Sequence, residues 1–315
     1  MARRCAYLFP GQGSQYVGMG YDLYEKYPSA RNVYAQADKI LGILLSELCF
    51  EGPADSLDDT LNTQPAILAT SVAALRVLEK GGLPGPAYVA GHSMGEFSAL
   101  VASHALSFQA GLLLVRERGR LMKEAGKQNP GGMAAVLGLE RDVLEEVCAA
   151  VRDRTGTYVG VANDNCPGQI VISGAEPALE SAMEAAQQRG AKRAIRLPVS
   201  IAAHSPLMAE AAQAFKRRLD ETPFSKPSVP VVANATARPL TDPDAIREAL
   251  SKQLTSPVRW TESMTWMLNQ DIGCFVEVGP KNVLTNLLRR IDRSAERVTT
   301  ADLLSHDDVD GTAHT

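Results

Sequence analysis

The sequence predicts an α/β fold in two parts: a large, mainly parallel sheet covered by helices, and a small ferredoxin-like unit inserted into it. Three observations carry that prediction. Short apolar runs alternate with longer helical patterns as far as about residue 128, the rhythm of a parallel sheet. The run Gln128-Asn129-Pro130-Gly131-Gly132 breaks that rhythm, and the chain beyond it reads strand, helix, strand, strand, helix, strand. After Pro198 the first rhythm resumes.

Taken in order, Cys5 to Phe9 is the first strand, and Ala66 to Lys80 is a helix with Ile67, Leu68, Val72, Leu75 and Leu78 on one face. Ala87 to Ala90 is a small apolar strand. It leads into a helix from Gly95 to Leu106 with Phe97, Leu100, Val101 and Leu106 at helical spacing, and a further helix spans Ser107 to Glu124. The inserted unit has strands at Met133–Leu139, Tyr158–Ala162, Gln169–Ser173 and Lys192–Leu197, with helices at Asp142–Arg152 and Glu176–Arg189. The large part resumes with helices at Ser205–Leu219, Asp242–Gln253 and Val283–Ile291 and strands at Val229–Asn234 and Cys274–Val278. The expected division is a discontinuous large domain (1–128 and 199–304), a small subdomain (129–198), and a polar, disordered tail (305–315).

Composition narrows the class. The chain has 315 residues, 45% of them hydrophobic, and a formal net charge of −4, so nothing in the overall balance points to nucleic acid. Five scattered cysteines with no Cys-x-x-Cys pair argue against a disulfide framework or a metal site. The apolar run after Arg3 and Arg4 stops at Pro10, too short for a signal peptide, and no later stretch is long enough to span a bilayer. A cytoplasmic, monomeric enzyme is expected.

The most informative feature is Gly91-His92-Ser93-Met94-Gly95 between strand and helix, a nucleophile elbow that makes the large domain α/β-hydrolase-like. Side chains two before and two after the serine would collide in so sharp a turn, so both positions are glycine. The serine needs a base. Of five histidines, His306 and His314 lie in the tail, His92 adjoins the serine, and His104 ends a helix; His204, where the chain re-enters the large domain, is the credible base. Arg118 shares a helical stripe with Leu114, Val115, Leu121 and Met122, so its guanidinium must meet an anion: either an internal carboxylate or that of a substrate. The loop Pro10-Gly11-Gln12-Gly13-Ser14-Gln15 comes directly after the first strand. Tyr16 stands where a dinucleotide fingerprint needs its third glycine, and the loop is better suited to offering a backbone N–H to an oxyanion.

With these residues assembled, the chain resembles the malonyl-CoA:acyl-carrier-protein transacylases from residue 3 to about residue 300. The matching motifs are Phe9-Pro10-Gly11-Gln12-Gly13, Thr63-Gln64-Pro65-Ala66, Gly91 to Glu96, Arg118-Gly119, Asn163 to Gln169, His204, and Val276-Glu277-Val278-Gly279-Pro280. The resemblance implies that Ser93 takes the malonyl group from coenzyme A and passes it to the phosphopantetheine thiol of acyl carrier protein, with no cofactor and no metal. It implies His204 as base, Arg118 as the malonyl-carboxylate ligand, and the Gln12 and Met94 N–H groups as oxyanion hole. The Gln253 carbonyl would orient the histidine, and Gln64, Asn163 and Asn165 would line the pocket mouth. Ala203, smaller than the residue often found before the histidine in such enzymes, raises the question of α-branched acyl groups. Five cations between Lys281 and Arg297 face only Asp292 and Glu296, a candidate dock for an acidic carrier protein shared with Lys123 and Lys127. The competing readings are a serine acyl hydrolase, which needs no Arg118, a non-catalytic carrier-binding module, and a loader for a polyketide synthase or malonate decarboxylase.

Overall fold

The structure, a computed structural model, describes residues 4–310. Its strands, in chain order, are β1 (Cys5–Phe9), β2 (Tyr88–Gly91), β3 (Gly131–Leu137), β4 (Val159–Cys166), β5 (Gln169–Ala175), β6 (Arg193–Arg196), β7 (Val231–Val232), β8 (Pro239–Leu240), β9 (Val258–Arg259), β10 (Cys274–Glu277) and β11 (Glu296–Thr299). Six of them form a sheet in the order β11-β10-β1-β2-β7-β8, parallel except for β8. Both faces of β1 are covered, and Ala6, Tyr7, Leu8 and Phe9 are all buried, as a central parallel strand requires. Phe9 pairs with Gly91, so the loop after β1 and the elbow after β2 leave the same carboxyl edge side by side.

The second sheet has the order β6-β3-β5-β4-β9. Its first four strands are antiparallel and ordered as a βαββαβ unit demands; β9 comes from the later chain and pairs parallel with β4. The period-two alternation of strands divides the two faces cleanly. Ala134, Val136, Ile170 and Ile172 pack beneath the helices Arg141–Thr155 and Glu176–Gln188, whereas Met133, Ala135, Gln169 and Val171 point the other way, into a cavity.

Several elements depart from expectation. The strand expected over Val229–Asn234 shrinks to the two residues of β7, because Pro230 has no N–H for the ladder and Asn234 turns away to bond the elbow. The helix expected from Ala66 begins at Thr60, capped by the Asp59 carboxylate on the Leu61 N–H, and carries Pro65 inside it. Four helices between Tyr21 and Asp58, the helix Trp260–Leu268, and strands β8, β9 and β11 have no counterpart in the sequence reading. The expected disordered tail is corrected in part: a helix runs Thr300–Asp310. A reciprocal cap starts it, with Thr299 N–H donating to Asp302 Oδ2 (2.8 Å) and Asp302 N–H donating to Thr299 Oγ1 (3.2 Å), and Leu303 and Leu304 pack on the core. Residues 311–315 of that tail lie outside the described residues. No helix among the described residues is long and apolar enough to cross a membrane.

Candidate active site

The elbow is as tight as its glycines suggest. A Cβ on Gly91 would lie 1.9 Å from the Gly95 carbonyl oxygen, and one on Gly95 would lie 2.2 Å from that of Phe9 in β1. Ser93 stands between them with φ 52°, a left-handed conformation that costs a non-glycine residue about 1–3 kcal/mol and that the surroundings must enforce. Asn234 does so: its Oδ1 accepts from the Ser93 N–H at 2.7 Å, and its Nδ2 donates to the Gly91 carbonyl at 2.7 Å.

His204 also has a left-handed backbone, φ 58°, in a turn closed by Ser205, whose hydroxyl donates to the Ala202 carbonyl at 2.6 Å and accepts from the Leu207 N–H at 3.2 Å. Its Nδ1 faces two carbonyl oxygens, Gln253 at 2.9 Å and Ser256 at 3.1 Å, so Nδ1 carries the proton. Nε2 is then free to accept from Ser93 Oγ at 2.8 Å. Burial and then the neighbouring Arg118 charge push the imidazole pKa down to about 3, so the ring rests neutral, as a base must. No carboxylate contacts His204 among the described residues; backbone carbonyls orient it instead.

Arg118 projects from the helix Phe108–Gln128 and is 1% exposed. Its contacts are all with uncharged groups: Nε donates to Gln253 Oε1 (3.2 Å), Nη1 to Gln64 Oε1 (2.9 Å) and Met122 Sδ (3.1 Å), and Nη2 to Ser93 Oγ (3.1 Å). Burial lowers its pKa to about 10, and it remains a cation near neutrality. The nearest compensating charge is Glu96, one bond further away. Its carboxylate accepts from Gln253 Nε2 and, at 3.4 Å, from the Asn234 N–H, and burial raises its pKa to about 7. The internal carboxylate that could have explained Arg118 by direct pairing is therefore replaced by an amide relay.

A cavity of about 350 Å³ opens over Ser93, His204 and Arg118. The elbow, the Gly11–Gln12 loop and the helix Val283–Ile291 wall it on one side, and Met133, Val171, Asn163 and Asn165 of the small sheet on the other. Glu277 fixes that wall helix, its carboxylate accepting from the Leu284 and Thr285 N–H groups at 2.9 and 2.8 Å. The backbone N–H groups of Gln12 and Met94 have no partner among the described residues, while that of Ser93 is taken by Asn234. Asn165 accepts from His92 Nε2 at 2.7 Å, and His92 stacks edge-on against Trp260. One expectation is corrected. Gln64 is wholly buried beneath Arg118 and does not line the pocket mouth, because its helix packs on that of Arg118 and turns the amide toward the guanidinium. Asn234, to which the sequence reading assigns no role, holds the elbow from below, and Glu96, likewise unassigned, accepts from the Asn234 N–H and from Gln253. Among the described residues no group of three or more His, Cys, Asp or Glu side chains could hold a metal ion.

The basic stretch is less uniform than its sequence. Arg289, Arg290, Arg293 and Arg297 line a recess with Pro167. Arg290 donates to Gln169 Oε1 at 2.8 Å and Arg297 to the Ala295 carbonyl at 2.7 Å; Arg289, Arg290 and Arg293 are exposed. Lys281 donates to the Gly13 and Gln15 carbonyls at 3.2 and 2.9 Å, and Lys123 pairs with Asp59, so both are engaged within the chain.

A serine hydrogen-bonded to a neutral histidine, two idle N–H groups and a buried cation make an arrangement suited to acyl transfer on a carboxylated substrate. Comparison with known proteins agrees. The family described as "Acyl transferase domain" matches residues 6–315. A malonyl CoA-acyl carrier protein transacylase of Bacillus subtilis is 44% identical over 299 residues, covering 95% of this chain and 94% of the relative. The crystal structure of an acyl carrier protein S-malonyltransferase from Vibrio cholerae superposes with a TM-score of 0.93 at 43% identity, covering 97% and 99% of the two chains. A type II PKS acyl-carrier protein in complex with its malonyl-transacylase is similar too, with a TM-score of 0.93 at 40% identity over 96% and 98%. The chain belongs to the acyl transferase family, among the malonyl CoA-acyl carrier protein transacylases.

Proposed function

We propose that this chain transfers the malonyl group from malonyl-CoA to the phosphopantetheine thiol of acyl carrier protein through a malonyl-Ser93 intermediate. The observation that carries the reading is Arg118, a buried guanidinium with only neutral partners, 3.1 Å from the nucleophile. Leaving such a charge uncompensated is costly, and an acyl group ending in a carboxylate completes it.

In the first half-reaction Ser93 Oγ attacks the thioester carbon while His204 Nε2 takes its proton. The N–H groups of Gln12 and Met94 hold the oxyanion, a stabilisation on the order of 3 kcal/mol for each donor. Collapse breaks the C–S bond, and His204 returns the proton to the departing thiolate. In the second half-reaction His204 takes the proton of the carrier thiol, sulfur attacks the ester carbon, and Ser93 leaves with that proton. Arg118 also disfavours protonation of His204, so a malonyl carboxylate that cancels its charge strengthens the base only when the right acyl group is in place. Asn163 and Asn165 bind the substrate arm at the cavity wall.

The exposed Arg289 and Arg293 suit an acidic carrier protein, and the helix that bears Arg289 also walls the cavity. All the groups named come from one chain, so a monomer suffices. The clean alternation of faces in the small sheet supports reading 129–198 as a subdomain inserted into 1–128 and 199–304. The pathway served is fatty-acid synthesis in this reading; the relative from a type II polyketide system keeps a polyketide role as the second. The test is transfer to holo carrier protein. Malonyl-enzyme formed by wild type and absent from Ser93→Ala should discharge onto the carrier, whereas release only to water would make the chain a hydrolase.

A further inference from the structure

Beneath Ser93 lies a buried polar cluster that moves no proton in the proposed acyl-transfer steps: Glu96 on the elbow helix Gly95–Ala102, Asn234 after β7, and the side chain of Gln253 at the end of the helix Pro243–Gln253. The Gln253 amide makes three contacts. Oε1 accepts from Arg118 Nε at 3.2 Å, and Nε2 donates to the Ser93 carbonyl at 3.0 Å and to Glu96 Oε2. Turned over, the amide would set its NH2 against a guanidinium and its oxygen against a carbonyl and a carboxylate, so every contact would oppose. The orientation is thus enforced from both ends. Glu96 supplies acceptors only, its two oxygens receiving Gln253 and the Asn234 N–H.

Resting on the reading of Arg118 as the malonyl ligand, we infer that Glu96 is a specificity-determining positioning residue. Through the Gln253 amide it relays a counter-charge to Arg118 and fixes the direction in which the guanidinium meets the acyl carboxylate. Gln253 then acts twice: its carbonyl sets the tautomer of His204, and its side chain sets the aim of Arg118. Because Glu96 touches no reacting atom, its loss should appear in the choice of donor rather than in the acyl transfer itself.

Glu96→Gln tests this with little change of shape. One amide offers one acceptor where the carboxylate offers two, so either Gln253 or Asn234 loses its partner. Gln253→Leu is the companion variant, removing the relay while leaving the carbonyl that bonds His204, and it carries the test should Glu96→Gln fail to fold. Assays at about pH 8 keep the carboxyl, whose pKa is about 7, ionised. The expected result for Glu96→Gln is a fall of about 10-fold in kcat/KM with malonyl-CoA against less than about 3-fold with acetyl-CoA; Gln253→Leu, which also loses the bond to the Ser93 carbonyl, should lower both and still cost malonyl more, with the double variant no worse than Gln253→Leu alone. In arginine-15N-labelled protein, the Nε–H signal of Arg118, identified by its loss in Arg118→Lys, should shift or broaden in both variants. Equal losses with both donors, additive effects, or an unmoved Arg118 signal overturns the inference. A wild type that takes acetyl as readily as malonyl refutes the donor reading instead, and the Arg118 signal still decides the relay.

Discussion

Arg118 and the arginines of the surface recess carry the same charge under opposite conditions. Arg118 is buried at the floor of the cavity, held by neutral amides, a thioether and the Ser93 hydroxyl. Arg289 and Arg293 are exposed and line an open recess. Between unit charges, attraction grows several-fold from bulk water to the effective dielectric of a protein site, so one buried guanidinium can read a single carboxylate. An exposed pair contributes about 0–1 kcal/mol and is screened by salt, so surface arginines act as a group, on encounter. In the proposed function, choice of acyl group and recruitment of a macromolecule fall to charges in different surroundings, and the two should respond differently to mutation and to salt.

The largest expected effect comes from removing the buried charge. Arg118→Ala should lower malonyl transfer by about 10- to 100-fold more than acetyl transfer, with no dependence on salt; steady-state kinetics with both donors checks this, and an equal loss would break the comparison at its first term. Next comes the wall of the cavity. Ala203 lines the cavity, and Ala203→Val should cut acylation by methylmalonyl-CoA about 10-fold relative to malonyl-CoA. Competition between the two donors, read by mass, measures it, and an unchanged ratio means Ala203 does not face the acyl α-carbon.

The recess should give a smaller and softer response. Arg289→Glu together with Arg293→Glu is expected to raise the apparent KM for carrier protein about 5-fold at low salt, an effect that fades by about 0.5 M salt, while malonyl-CoA still acylates Ser93. A salt-insensitive effect would mean the recess acts through structure. The smallest expected effect is none. With its pKa pushed down to about 3, His204 should keep the 15N shifts of a neutral, Nδ1-protonated ring between about pH 7.5 and 5, and a midpoint near 6.5 would contradict its burial beside Arg118. Stability responds with a definite sign. Below about 6.5 the unfolded histidine takes up a proton that the native one refuses, so its contribution turns progressively destabilising as pH falls toward 3.

Much of this architecture is legible in the sequence because it is local. The elbow, the stripe that buries Arg118, and the alternation that gives the small sheet its two faces are each written in a few neighbouring residues. Pro28–Leu41 is equally local, although no helix is expected there from the sequence: proline opens it, Ala30, Val33, Tyr34 and Ala37 form its buried stripe, and Gly42 closes it at φ 65°. Asn234 is a different case. Nothing near it marks it, and its importance arises because β7 pairs with β2 and delivers its side chain to Ser93. Gln64 shows the converse, a residue expected at the pocket mouth that helix packing turns inward. Roles fixed by contacts distant in sequence are those a linear reading cannot reach.

The central claim is that a buried, carboxylate-free guanidinium beside Ser93 selects the acyl group. Its most direct test is intact-protein mass spectrometry after exposure to equimolar malonyl-CoA and acetyl-CoA. The account predicts a malonyl adduct on wild type, none on Ser93→Ala, and mixed acylation on Arg118→Ala. Acetyl acylation of the wild type in proportion to its supply would contradict it.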